Sequence, residues 1–227
     1  MTIHYHGTPI TPNAVLLSLA GAHFCVSFAR PDQVRQAHEI GQSVMLDNGA
    51  FSVWKRQHIP DWDAYYKWAD QWLDHPTTWA VIPDVIVGDE GDNDLLCRAW
   101  PFRDRGAPVW HMHESLGRLI GLIDGFPRVC IGSSGEYAEV MSPVWQRRMD
   151  EAWREIYRLN KRTPNIHMLR GLQLIRQRWP FASVDSTDIA RNHNGKHRCA
   201  VKMRVRWDAG QCPPSFVDPG EQIEMAA

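Results

Sequence analysis

Three aspartates in this chain each come directly after a short apolar run of the kind that forms a buried strand. They are Asp47 after residues 43–46, Asp84 after residues 78–83 and Asp185 after residues 181–184; Gly132 ends a fourth run, 128–131. Two carboxylates around a sugar carbon can break a glycosidic bond, one as nucleophile and one as acid or base. A third can accept hydrogen bonds from a purine edge, and a glycine lets a flat base approach the main chain. A lone strand-end aspartate is more often a helix cap, so it is the repetition that favours a site.

Strand-like runs, loops and amphipathic helices alternate along the chain, which predicts a parallel sheet covered by helices. Seven strands are predicted, at residues 23–29, 43–46, 78–83, 107–113, 128–132, 165–169 and 181–184. A (β/α)8 TIM-like barrel and an open doubly wound sheet both fit this pattern. The barrel is favoured because residues suited to chemistry follow several different strands. We therefore expect one small α/β barrel domain over residues 1–227, with its eighth strand unassigned.

The predicted helices begin and end at recognisable residues. Gly41 ends a helix that follows residues 30–32, Pro60 precedes a second, and Ser142 with Pro143 begins a third that runs to about Asn160. The third should bury Trp145, Met149, Ala152, Trp153 and Ile156. Short helices are expected at 116–123 and 171–178. The acidic stretch 88–94 lacks the spacing of a calcium-binding EF-hand, which favours a solvated loop and a helix start.

Charge is distributed unevenly along a chain whose net charge is only −1. Residues 147–206 hold 15 lysines and arginines against 5 acids, a net charge of +10, and the remainder holds 10 against 21. A basic segment that also contains Asp185 favours a polyanionic partner such as nucleic acid. The alternative is a solvated face that the acidic part of the chain neutralises. Most of the 11 tryptophans should pack in the core, although some could stack on bases.

Residues 200–207 alternate strictly between apolar and basic side chains. This pattern predicts a half-buried strand whose exposed face, made of Lys202, Arg204 and Arg206, could contact phosphates. The alternative is a charged sheet edge that protects against aggregation.

Five cysteines without regular spacing argue against a disulfide framework and favour a reducing compartment. Neither a signal peptide nor a membrane-spanning stretch is indicated, so we expect a cytoplasmic protein.

Four motifs together resemble the tRNA-guanine transglycosylases and their DNA-acting relatives, the DpdA-type 7-deazaguanine transglycosylases of phages and bacteria. Asp47-Asn-Gly-Ala-Phe51 is similar to the family's Asp-Ser-Gly-Gly/Ala-Phe loop, and Gly132-Ser-Ser-Gly-Glu136 to its glycine-rich turn. The strand before Asp84 and the segment Val184-Asp-Ser-Thr-Asp-Ile-Ala-Arg-Asn192 complete the likeness, in consistent order. It extends over about residues 44–192.

The resemblance implies a role for each matched residue. Asp185 would be the nucleophile and Asp47 the acid and base. Residues that would contact the base are Asp84, His111 or His113, Gly132, Ser133 and Asn48. The implied reaction replaces guanine in DNA with a 7-deazaguanine such as preQ0, in a host cytoplasm if the protein is phage-encoded. The phosphate backbone would meet Arg191, Lys196, Arg198, Lys202, Arg204 and Arg206, together with the helix from Arg147 to Lys161.

Two departures from the tRNA enzymes bear on substrate and cofactor. The chain is much shorter than theirs, and it lacks their Cys-x-Cys-x-x-Cys and His zinc signature. His193, His197, Cys199 and Cys212 are of types that suit Zn²⁺, but their spacing matches no zinc pattern, so no cofactor is predicted and a polar basic loop is favoured.

The same exchange on tRNA and a non-catalytic base-binding barrel remain alternatives. A glycoside hydrolase is disfavoured, because saccharide substrates need no basic segment.

Overall fold

Nine parallel β-strands form one sheet that curves into a barrel, and helices surround it. The structure is a computed structural model that describes residues 1–160, 163–196 and 198–220. The strands are β1 (Ile3–Gly7), β2 (His23–Ser27), β3 (Ser43–Asp47), β4 (Thr78–Val81), β5 (Gly106–Ala107), β6 (Val109–His111), β7 (Val129–Gly132), β8 (Ile166–Met168) and β9 (Ser183–Ser186). Their order in the sheet is β5-β4-β3-β2-β1-β9-β8-β7-β6, every pair parallel. The predicted TIM-like α/β barrel is therefore confirmed.

The two end strands of this order, β5 and β6, are separated in sequence by Pro108 alone. The Ala107 carbonyl accepts a hydrogen bond from Ile82 of the β4 side, and the Pro108 carbonyl accepts one from Cys130 in β7. Since proline has no N–H to donate, it interrupts the ladder without breaking the run of extended chain. The nine strands thus occupy eight positions around a nearly closed barrel.

The position that the sequence left unassigned belongs to β1. It pairs with β2 on one side and β9 on the other, so the first strand of the chain lies beside the last. Its sequence, Ile-His-Tyr-His-Gly, does not look like a buried strand, but His4 and His6 are buried on its outer face. His6 Nε2 lies 3.1 Å from Asp208 Oδ1, a partner that sequence alone does not reveal.

The helices are α1 (Asn13–Leu17), α2 (Val34–Ile40), α3 (Ala50–Lys55), α4 (Trp62–Leu73), α5 (Glu90–Ala99), α6 (Leu116–Gly125), α7 (Pro143–Asn160), α8 (Asp188–Asn192) and α9 (Ala200–Asp208). The predicted helices ending at Gly41, following Pro60 and beginning at Pro143 are confirmed. All five inward positions expected of α7 are fully buried. The acidic loop is the start of α5, where Asp89 caps the helix. Residues 171–178 form only a short 3₁₀ turn, Leu172–Leu174, not the expected helix.

The predicted strand at residues 200–207 is wrong, because these residues form α9. In a helix the inward positions recur at intervals of three and four residues, here Ala200, Met203 and Trp207, while Val205 is 62% exposed. The alternation of apolar and basic residues agrees with this helical spacing at Met203 and Trp207 but not at Val205. The three cations therefore do not form one basic face: Lys202 and Arg206 are exposed, but Arg204 donates to the carbonyls of Ala20 and Gly21.

The core has a barrel interior and two outer layers. Tyr5, Cys25, Met45, Trp79 and Val109 are among the side chains that fill the interior. One outer layer packs β2–β4 against α2 and α4, and the other packs β6–β9 against α6 and α7. Side chains alternate between interior and outer layer along each strand, which turns the last inward residues of β3 and β9, Asp47 and Asp185, toward the barrel axis.

Candidate active site

Asp47 is the last residue of β3, opposite Ser27 at the end of β2. Its Oδ2 accepts a hydrogen bond of 3.2 Å from the Gly49 N–H. Gly49 has φ 76°, a left-handed conformation that glycine tolerates and that turns the chain at once into α3. Burial raises the pKa of the Asp47 carboxyl from 3.8 to about 6, against a hydrogen bond from Ser27, and the charges of Asp185 and Asp84 raise it further.

Asp185 lies in β9 opposite Tyr5 of β1, and its side chain is 13% exposed. Both of its hydrogen bonds go to the same oxygen: Oδ1 accepts from the Arg170 N–H at 2.7 Å and lies 3.3 Å from His167 Nε2. Within the described chain, Oδ2 has no hydrogen-bond partner. The carboxylate is therefore fixed by one oxygen, and the other oxygen remains available for chemistry.

His167 supports Asp185 from inside the barrel. Its ring is fully buried, and Nδ1 lies 2.8 Å from the Ser183 hydroxyl. Burial lowers the pKa of His167, although the hydrogen bond and charge of Asp185 oppose this change. Because a neutral imidazole has one N–H and a carboxylate only accepts, Nε2 carries the proton toward Asp185 and Nδ1 accepts from Ser183.

Asp84 follows β4 and joins two other predicted site residues. Its Oδ1 accepts from Asn48 Nδ2 at 2.7 Å, and its Oδ2 lies 2.9 Å from His111 Nε2. All three side chains are buried. Asn48 also donates to the Ile82 carbonyl and accepts from the Ala50 N–H, so it ties the end of β3 to the end of β4. The two oxygens of Asp84 thus each carry one hydrogen bond from the protein.

His111 has a second nitrogen, Nδ1, that is buried without a hydrogen-bond partner in the described part of the chain. A Cβ at Gly132 would lie 3.2 Å from this atom, so the missing side chain of Gly132 leaves the space beside it open. In the tautomer that donates from Nε2 to the Asp84 carboxylate, Nδ1 has a free lone pair. An unsatisfied buried nitrogen beside a bare glycine suits a ligand that brings an N–H group.

A buried ion pair, absent from the predicted site, holds His111 in place. Glu114 accepts from the His111 N–H at 2.8 Å and from Arg118 Nη1 at 2.6 Å, and it accepts from Asn93 at 2.9 Å. Arg118 also donates to Asp94 and to the Val109 carbonyl. In the sequence, the spacing of four residues between Glu114 and Arg118 at the start of a helix could have indicated this ion pair.

Arg170 was also absent from the predicted site, and it connects three loops at the rim. Its N–H holds Asp185, its guanidinium donates to the Ser133 carbonyl at 3.0 Å, and its Cζ lies 4.9 Å from the Phe51 ring centroid. Its φ of 56° is unusual for a residue with a side chain. No motif in the sequence marks this position.

Two further predicted residues, Ser133 and His113, have structural partners. The Ser133 hydroxyl accepts from Trp145 Nε1 at 2.9 Å. His113 lies 2.9 Å from the Ser134 hydroxyl, and its ring stacks beside that of His111 with centroids 5.7 Å apart.

The charges of the three aspartates act on the same buried thiols in the barrel interior. Burial raises the pKa of Cys25 and Cys130 most strongly; the charges of Asp185 and Asp47 raise both further, and Asp84 adds to the effect on Cys130. Asp47 ends β3, Asp84 follows β4 and Asp185 lies near the end of β9, so all three are at the carboxyl ends of parallel strands.

The predicted phosphate-binding cations are spread over several elements. Arg191, Lys196, Arg198, Lys202 and Arg206 are exposed, whereas Arg204 pairs with Asp208 at 3.0 Å. On α7, Arg147 is exposed, Arg154 pairs with Asp218 and Arg158 with Glu155. Lys161 lies outside the described residues.

Of the four residues whose types suit zinc, the three that the structure describes have separate surroundings. His193 is buried with Nδ1 on the Ile189 carbonyl, Cys199 is exposed, and Cys212 lies beside Thr2. His197 lies outside the described residues. Among the residues that are described, no group of three or more His, Cys, Asp and Glu side chains could hold a metal ion.

No helix in the described ranges has both the length and the apolar composition required to cross a bilayer. Compared with known proteins, the chain matches no family model, no curated protein and no solved structure.

Proposed function

We propose that this protein is a base-exchange transglycosylase that replaces guanine in DNA with a 7-deazaguanine base such as preQ0. One observation carries the proposal: two inward carboxylates at the same end of the barrel have unequal surroundings. Asp185 is held by Oδ1 with Oδ2 free, which suits a nucleophile. Asp47 has its pKa raised to about 6, which suits an acid and base near neutral pH.

The first step would transfer the sugar to the protein. Asp185 Oδ2 attacks C1′ of the target nucleotide, the bond from C1′ to N9 breaks, and an ester to Asp185 forms. Guanine departs with the electron pair of that bond and takes a proton from the Asp47 carboxyl. The Arg170 N–H and the neutral His167 ring keep the carboxylate oriented without neutralising it.

The second step would reverse the first with a different base. N9 of the incoming 7-deazaguanine attacks C1′ from the side that guanine left, the ester breaks, and the N9 proton passes to the Asp47 carboxylate. Asp47 is then protonated again for the next turnover. Two displacements at one carbon retain its configuration.

Base recognition would centre on His111 and Gly132. The unpaired Nδ1 of His111 accepts from an N–H on the base edge, and the bare Gly132 backbone lets the ring lie close. In this proposal Asp84 fixes the tautomer of His111 and the position of Asn48, since each of its oxygens already accepts one hydrogen bond from them.

The target nucleotide would reach the site flipped out of a duplex or from a single strand, because a stacked and paired guanine hides its glycosidic bond from a carboxylate at a barrel rim. The exposed cations Arg191, Lys196 and Arg198 follow β9 in the chain and are candidates for phosphate contact.

The test is incubation with labelled preQ0 and, separately, duplex DNA, single-stranded DNA and tRNA. We expect label in DNA with the intact protein and none with Asp185→Ala. The Asp84→Ala variant should lose discrimination among bases, because His111 loses its partner. Label in tRNA alone would contradict the DNA substrate, and no label in any polymer despite retained binding would favour the non-catalytic barrel.

A further inference from the structure

An arm of exposed residues, 51–59, projects from the rim directly after the Asp47 loop. It comprises most of α3 and the turn that follows it, and its side chains are exposed except for Ser52 and Val53, which are half-buried. Phe51 is 45%, Trp54 47% and Ile59 94% exposed. Three large apolar side chains are thus exposed within nine residues, a concentration of exposed apolar surface that is typical of binding sites.

Trp54 is distinctive among the tryptophans of this protein. All 11 lie in the described residues, and Trp54 is exposed whereas the other ten are buried or half-buried in the core. Its ring centroid lies 5.7 Å from that of Phe51. The two rings therefore form an aromatic surface that faces solvent, although neither is needed to fill the core.

The arm is adjacent to the nucleophile. Arg170, whose N–H holds Asp185 Oδ1, places its guanidinium over the Phe51 ring. The aromatic surface thus begins at the mouth of the candidate site and extends outward to Trp54.

The charge of the arm is positive and unpaired. Residues 51–59 contain Lys55 and Arg56 but no Asp or Glu. In the described structure neither cation forms a salt bridge, whereas Arg154, Arg158 and Arg204 of the basic segment each pair with an acid. The basic segment also has exposed cations, such as Lys202 and Arg206, but the two cations of the arm directly follow the exposed Trp54 in the chain.

We infer that the 51–59 arm binds single-stranded nucleic acid next to the target nucleotide, with a base stacked on Trp54 and phosphates on Lys55 and Arg56. Aromatic faces interleaved with free cations are the recurring surface for unpaired strands. Duplex DNA offers phosphates but covers its base faces, so the exposed rings favour an unpaired strand. The inference rests on the proposed function for the identity of the partner, but its test does not depend on catalysis.

The experiment measures fluorescence anisotropy of a short labelled single-stranded DNA, without added free base, over a series of salt concentrations. We expect Trp54→Ala to weaken binding about tenfold or more, and Trp54→Phe to retain most of it. The double variant Lys55→Gln/Arg56→Gln should reduce the slope of log affinity against log salt by about 1.4, since each phosphate contact to a single strand contributes about 0.7. Because these side chains are exposed, the variants should fold normally.

The matched control is Arg35→Gln/Lys67→Gln, which removes two exposed cations from α2 and α4 and should keep the full salt slope. Unchanged binding by Trp54→Ala would overturn the inference. A salt slope that falls in Lys202→Gln/Arg206→Gln but not in the Lys55→Gln/Arg56→Gln variant would also overturn it. So would sedimentation showing that the wild type is a dimer and that Trp54→Ala dissociates this dimer. Strand binding that needs Trp54 without base exchange would contradict the proposed function alone; base exchange with binding independent of Trp54 would contradict this inference alone.

Discussion

Asp47 and Asp185 carry the same carboxyl group, but their surroundings give them different properties. Asp185 receives two hydrogen bonds on one oxygen from groups held in the barrel. Asp47 accepts from the Gly49 N–H at 3.2 Å and from Ser27, but it lies where burial and the charges of the other two aspartates disfavour its own charge. Paired carboxylates with separated properties are the general means by which one site performs both nucleophilic and acid–base steps.

The raised pKa of Asp47 predicts a cost to stability that depends on pH. A carboxyl that titrates at about 6 in the folded protein and near 3.8 when unfolded destabilises the fold above pH 6 and not below pH 3.8. Asp47→Asn should therefore increase the free energy of unfolding by about 1–3 kcal/mol at pH 8 and by much less at pH 4. Denaturant unfolding at the two pH values measures this.

The same substitution should lower base exchange by about 10²–10⁴-fold, because it removes the acid and base. Asp70→Asn, which changes an exposed carboxyl on α4, is the control and should alter neither quantity by a comparable amount. If Asp47→Asn changed the free energy of unfolding equally at pH 4 and pH 8, burial would not raise the pKa of the Asp47 carboxyl.

At the scale of elements, α9 covers the outer face of β1 and attaches the C-terminal part of the chain to the barrel. Arg204 is its main polar anchor, donating to the carbonyls of Ala20 and Gly21 and to Asp208. Asp208 in turn lies beside His6, so the anchor reaches the strand that joins the first and last parts of the sheet. The Arg204 guanidinium therefore stabilises the fold by attaching α9 to the barrel.

We expect Arg204→Ala to reduce the free energy of unfolding by about 1–3 kcal/mol, because it removes the Arg204 hydrogen bonds to Asp208 and to the carbonyls of Ala20 and Gly21. Lys202→Ala and Arg206→Ala, on the exposed side of the same helix, should change it by less than about 0.5 kcal/mol. Chemical denaturation of the three variants decides between the helix and an exposed basic strand, since a strand would make the three substitutions equivalent.

At the scale of the whole molecule, closure of the barrel depends on the short strand β5. Gly106 pairs with Ala80 there, and an added Cβ would overlap the Trp100 indole and lie 2.7 Å from Ile82 Cγ1. Closure matters for the site because it fixes β4 next to β5 and β6, and so Asp84 next to His111. A residue far from the chemistry therefore helps to position it.

Gly106→Ala should destabilise the protein by about 1–3 kcal/mol through overpacking. The control is Gly121→Ala in α6, where a Cβ meets nothing within 4 Å and the better helix propensity of alanine should stabilise by up to about 1 kcal/mol. Thermal unfolding of both variants measures the difference. A Gly106→Ala protein as stable as wild type would mean that the β4–β5 junction accommodates a side chain freely.

Seven of the eight barrel positions, and the strand-end locations of Asp47, Asp84, Gly132 and Asp185, were predictable from sequence. The reason is local: a buried parallel strand is a short apolar run, and the residue after it lies at the carboxyl end of the sheet. Strand β1 escaped because its outward histidines are buried by a partner about 200 residues away, Asp208. The strand predicted at residues 200–207 was wrong because eight alternating residues are also compatible with a helix that turns Ala200, Met203 and Trp207 toward the core.

The fold class and the positions of the three aspartates at strand ends could be predicted from the residues alone. The availability of each group follows from the folded chain: among the described residues, Oδ2 of Asp185 and Nδ1 of His111 have no hydrogen-bond partner, while several cations are bound to acids. Those properties depend on contacts between residues distant in the chain, such as Arg170 with Asp185 and Asp84 with His111. Composition counts charges, but only packing shows which of them remain available to a ligand.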